Sequence, residues 1–136
     1  MISGEGMKKH VIVKQKHLYT EERFLMFDGL AEITRHEDLI QIRYRERDQK
    51  TEVTVDAYDD HLEIKRNGEV ITSLLFRSKE KTNGSVLSEF GTIDLGVYTH
   101  KYIKKENIIA IEYDILNGDE VSDGYRILWT MKEDIS

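Results

Sequence analysis

At 136 residues, with 26 acidic against 20 basic side chains and a net charge of −6, the chain reads as one acidic domain, long enough to bury roughly two thirds of its unfolded surface. The negative balance argues against a nucleic-acid partner, because non-specific affinity for nucleic acid rests on Lys and Arg neutralising phosphates. The lack of cysteine excludes a disulfide framework and a thiolate metal site and fits a cytoplasmic location, and no apolar run approaches the ~18 residues of a membrane-spanning helix.

Residues 1–9 are small, polar or basic and are expected to form a disordered N-terminal extension, with Met7 a candidate start; the domain proper is expected over residues 10–133. Val11 to Tyr19 reads as a strand broken by Thr20-Glu21-Glu22. Phe24 to Phe27 is continuously apolar, a pattern shared by a buried strand and a helical turn and read here as strand, and Asp28-Gly29 suits a bulge or bend. Leu30 to Arg35 continues the strand, and His36 to Asp38 turns the chain.

The clearest alternation follows. Ile40, Ile42, Tyr44 and Glu46 fall on one side, Gln41, Arg43 and Arg45 on the other, as a strand with one buried and one wet face requires. Keeping Val53, Val55 and Ala57 on the inner face predicts a hairpin with a two-residue Gln49-Lys50 loop, Arg47 opposite Glu52 and Arg43 opposite Asp56. Leu62 and Ile64 point inward on the next strand. A three-residue loop Arg66-Asn67-Gly68, with Gly68 left-handed, then puts Val70, Leu74 and Phe76 inward, while Asn83-Gly84 reads as a two-residue turn pairing Leu74 with Ile93.

Ile93, Leu95 and Val97 share the inner face of a half-exposed strand, and the polar stretch His100 to Asn107 reads as a loop or one helical turn. Ile109, Ile111, Tyr113 and Ile115 alternate with Ala110, Glu112 and Asp114 before an Asn117-Gly118 turn. Tyr125, Ile127, Trp129 and Met131 line one side of the last strand. Eight to ten short strands with three Asn-Gly and two Asp-Gly pairs and no proline predict an all-β fold. A meander of short hairpins is expected to close into a single antiparallel barrel, which removes its two unpaired edges.

The succession Asp28-Gly-Leu-Ala, Ile42-Arg-Tyr-Arg-Glu46, Leu62-Glu-Ile-Lys-Arg-Asn-Gly68, Phe90-Gly-Thr-Ile-Asp-Leu-Gly-Val-Tyr-Thr99 and Ile111-Glu-Tyr-Asp-Ile115 resembles the YwiB-like proteins, a bacterial family. The resemblance spans residues 10–132 and implies a calycin-like, that is lipocalin-like, barrel. It implies the fold more than any activity.

Polar groups on inward faces are the oddity of this sequence. Tyr44 and Glu46, with Thr99, Tyr113 and Tyr125 on other strands and Arg66 at a strand end, need partners, because desolvating an unpaired carboxylate or guanidinium costs several kcal/mol. One reading has Arg66 and Glu46 meeting at the barrel mouth, tyrosine hydroxyls around them and Trp129 walling a pocket for a small apolar or amphipathic molecule. The plainer reading, which an eight-stranded count favours, is a satisfied ion pair plugging a filled barrel that works as a non-catalytic protein-interaction module. Arg43, Arg45 and Arg47 read as a solvated outer face. The five histidines lack ligand-type spacing, so neither a metal nor a cofactor is expected, and no local catalytic motif appears. Monomer and homodimer stay equally open.

Overall fold

The computed structural model describes residues 6–132 and contains only strands in regular structure. The strands run β1 (Met7–His17), β2 (Arg23–Arg35), β3 (Leu39–Arg45), β4 (Glu52–Tyr58), β5 (Leu62–Asn67), β6 (Ile71–Phe76), β7 (Lys81–Ser88), β8 (Gly91–Lys104), β9 (Ile108–Asn117) and β10 (Glu120–Met131). Every strand pairs antiparallel with its sequence neighbour, and β1 also pairs with β10, so the meander closes into a ten-stranded barrel.

The first strand starts earlier than expected. Met7, Lys8 and Lys9 pair with Ile33, Glu32 and Ala31; residues 1–5 of the expected extension and residue 133 at the expected domain end lie outside the described residues.

Parity decides the interior. Val11, Val13, Ile42, Val55, Leu62, Val97, Ile109 and Ile111 are fully or almost fully buried, as alternation from the sequence requires. The apolar run at Phe24 behaves differently: Phe24, Leu25 and Met26 are 47%, 43% and 36% exposed. Here β2 carries its bulge, since the register against β1 shifts between Val13 paired with Phe27 and Lys14 paired with Leu25, which leaves Met26 as the extra residue. Asp28-Gly29 lies inside the regular ladder.

The turns differ from expectation in instructive ways. In the β3–β4 hairpin Arg45 opposes Glu52 and Arg43 opposes Thr54, while Gln41 takes Asp56; the loop is two residues longer than expected. The Asp48 carboxylate organises it by accepting from the Thr51 amide, the Thr51 hydroxyl and the Lys50 amide. The Thr51 backbone bond first, then the Thr51 hydroxyl, hold that carboxyl down at about 2. The outer arginines are partly paired, Arg43 with Glu52 at 3.2 Å and Glu32 at 3.9 Å.

In the β5–β6 hairpin Asn67 pairs with Ile71, so the three-residue loop is Gly68-Glu69-Val70 and Val70 is exposed. Leu74 and Phe76 do face Ile64 and Leu62. Asn83-Gly84 is no turn: Gly84 sits within β7, between Leu74 of β6 and Leu95 of β8. The chain reverses instead at Glu89-Phe90, with Gly91 at φ 119°, and Phe90 is 91% exposed and Ile93, expected inside, is exposed too. The polar stretch after His100 is strand, because a bulge between Thr99 and Lys101 lets β8 continue to Lys104.

Gly84 has a packing reason to be glycine. A methyl group there would lie 2.5 Å from Leu74 Cδ2 and 2.9 Å from the Ser73 carbonyl oxygen, and the backbone oxygen cannot step aside. Gly84→Ala is therefore expected to destabilise the barrel by about 1–3 kcal/mol in urea unfolding; an unchanged midpoint would show that β7 is not held against β6 as described.

Candidate functional site

Antiparallel strands alternate direction, so the odd-to-even connections (β1–β2, β3–β4, β5–β6, β7–β8 and β9–β10) all lie at one end. The half of the barrel away from those connections is solid, filled by residues such as Ile33, Ile42, Ala57, Leu62, Phe76, Ile111 and Met131. The half beneath them holds a cavity of about 320 Å³.

Arg66 and Glu46 guard its mouth. Arg66 Nη2 donates to Glu46 Oε1 at 2.6 Å and Nε donates to Oε2 at 3.2 Å, a two-pronged pair across neighbouring hairpins. The Arg66 side chain is 46% exposed and that of Glu46 20%, so the pair lies at the solvent boundary.

Below it, Tyr44, Tyr113, Tyr125 and Trp129 line the cavity, together with Gln15, Met26 and Thr72 among others. Trp129 Nε1 donates to the Tyr44 hydroxyl at 3.4 Å. Burial above all drives the Tyr44 hydroxyl up to about 12, against the opposing Trp129 hydrogen bond. Burial likewise raises Tyr113 and Tyr125, so all three are neutral phenols at physiological pH. The Tyr113 ring packs edge-on to Phe76 at 4.7 Å and tilts against Tyr125 at 5.8 Å.

Of the seven residues singled out from the sequence, the fold brings six to this cavity. Thr99 is the exception. It is fully buried beneath the β6–β7 connection, where its carbonyl accepts from Lys79 and its amide donates to Glu80, and its hydroxyl has no hydrogen-bond partner among the described residues.

Two polar groups near the mouth escaped the sequence reading. His17 continues the inward parity of Val11 and Val13, a signal that was present but outweighed by the scatter of the histidines. Its Nδ1 accepts from the Tyr19 and Thr20 amides, so its proton sits on Nε2, 3.2 Å from Asp123. Asp114 faces outward yet is 4% exposed, because the β1–β2 loop folds over it: the Tyr19 hydroxyl donates at 2.6 Å and His100 Nε2 lies 2.7 Å away. Gly124 leaves room for Tyr19, which a methyl group would meet at 2.6 Å.

A larger, charged depression of about 540 Å³ lies where β2 and β3 part. Their ladder holds only from Glu32 to Arg35, and above it the cleft between Phe27 and Arg45 reaches Tyr44. Among the described residues no group of three or more His, Asp or Glu side chains is placed to hold a metal ion, and no helix is long and apolar enough to cross a membrane.

These features define a ten-stranded meander barrel, solid at one end and hollow at the other, with an ion pair at the hollow end. The chain belongs to the family described as domain of unknown function DUF1934, whose model matches residues 11–128. Its fold is similar to that of the YwiB protein from Bacillus subtilis, seen in a crystal structure: the TM-score is 0.73 at 16% identity, over 96% of each chain. The kinship with YwiB-like proteins read from the sequence therefore holds, and at that identity the structural likeness speaks to fold alone. No curated protein matches the chain.

Because Arg66 is half exposed, solvent screens much of its attraction for Glu46. Arg66→Met is expected to destabilise the protein by about 1 kcal/mol, and Glu46→Gln on top of it to cost less than it does alone. Strictly additive losses in that double-mutant cycle would show that the pair is not coupled.

Proposed function

We propose that the hollow end of the barrel binds a small amphipathic molecule, its apolar body among Trp129, Ile127, Val53 and Leu74 and its polar end near Arg66, Glu46 and the tyrosine hydroxyls. The observation that carries this reading is the cavity itself: about 320 Å³ lined mainly by apolar and aromatic side chains, with a few convergent polar groups at one end, within the size range of small-ligand sites. A filled barrel would have placed aliphatic side chains there, as it does in the other half. The absence of cysteine suits a reducing cytoplasm as the place of action, and the likeness to a Bacillus subtilis protein supports a bacterial setting for this reading.

A specific observation favours a second reading, a protein-interaction module. Phe24, Leu25 and Met26 are exposed on the part of β2 that has no ladder with β3, an unpaired apolar edge of the kind that accepts another strand.

Native mass spectrometry of the protein isolated from its own host cells separates the two. The cavity reading predicts a retained small molecule that disappears in Thr72→Phe, a change that fills the cavity and leaves the strand signal in circular dichroism intact. Recovery of bare chain from both proteins counts against the cavity, and recovery of a protein complex that survives Thr72→Phe favours the second reading.

A further inference from the structure

The donor and acceptor balance of the cavity narrows the chemistry of what it holds. Tyr113 is 5% exposed as a residue, but its hydroxyl bonds to no described residue and is not fully enclosed, so it is open to the cavity. Tyr44 is 9% exposed and accepts from Trp129, and its own proton is donated to no described residue. Arg66 brings five N–H donors, of which two go to Glu46, and its charge is close enough to act on both phenols.

The one carboxylate lining the cavity, that of Glu46, is taken by Arg66. Gln15, Thr72 and Tyr125 add groups that both donate and accept, so the free donors beside the ion pair are those of Arg66, Tyr44 and Tyr113, and the lining carries no net charge. An anionic head would gain hydrogen bonds from these donors but would be desolvated beside Glu46. A cationic head would be desolvated beside Arg66 and could offer the phenols nothing to accept their protons.

We propose that the cavity selects an amphipathic molecule whose polar end is an uncharged hydrogen-bond acceptor, such as an amide, ester or ketone carbonyl, received by the Tyr113 and Tyr44 hydroxyls beside the Arg66–Glu46 pair. This rests on the cavity reading above and adds to it the class of head group. Tyr113 then offers the bound molecule a hydroxyl that solvent in the cavity serves in the free protein.

The test is calorimetric titration of the full chain at pH 7, with emission of Trp129, the single tryptophan, as a second readout. The probes are straight-chain primary amides, carboxylates and amines of about six to ten carbons, sized to a cavity of this class. The amides are expected to bind tightest, by about tenfold over either charged series. Tyr113→Phe should weaken amide binding roughly threefold to tenfold while its melting temperature changes little, since the hydroxyl is bonded to no other described residue of the free protein. Tyr44→Phe should weaken it similarly.

Tightest binding by a carboxylate or an amine overturns the head-group assignment and leaves the cavity reading standing. So does an amide affinity untouched by Tyr113→Phe. Failure of all three series to bind or to move Trp129 emission overturns both.

Discussion

The structure depends on one set of backbone hydrogen bonds: those that β1 makes on both of its edges. Val11 to His17 pairs with β10 while Val11 to Lys16 also pairs with β2, and without the first ladder the ten strands would form an open, twisted sheet with two long edges. Closure makes the inward side chains share one interior, so that Trp129 of β10 can reach Tyr44 of β3. A site assembled from segments as distant as β3 and β10 exists only because β1 joins β10.

Given closure, the two halves of the interior differ for reasons of side-chain size and position. One half stacks Ile, Leu, Val, Phe and Met to exclusion of solvent. In the other, the β2 bulge at Met26 and the parting of β2 from β3 above Glu32 move one wall aside, and Tyr44, Tyr113 and Tyr125 present hydroxyls where aliphatic groups would otherwise meet. Those hydroxyls resist ionisation because they are buried, so they act as neutral donors rather than as charges. The β1–β2 loop is fastened beside this end by the Tyr19 hydroxyl on the buried Asp114 carboxylate, which His100 of β8 also contacts.

The inner and outer faces were legible in the sequence because alternation with a period of two survives every register, and an error of an even number of residues leaves each side chain on its proper face. The meeting of Arg66 and Glu46 was legible for the same reason. Turns were not, since the signals used for them are local while the cause was elsewhere. Asn83-Gly84 has the composition of a tight turn, yet Gly84 is small because Leu74 crosses it from the next strand. The β3–β4 loop is set by the reach of the Asp48 carboxylate to Thr51 and Lys50, chemistry that a search for glycine does not see. Phe24 to Phe27 reads as core from composition, but the bulge leaves Phe24, Leu25 and Met26 at least partly in solvent. Asp114 was assigned to the wet face by parity, correctly as to direction, and its burial comes from a loop about a hundred residues away in sequence, which no periodicity encodes.

The most direct measurement of the central claim is residue-resolved amide hydrogen exchange along β1. In an antiparallel strand successive amides point alternately to one neighbour and the other. The closed barrel predicts slow exchange at consecutive residues from Val11 to Gln15, because both neighbours accept. Fast exchange at every second amide of that run would show β1 to be an edge, leaving the barrel open and the cavity without its wall.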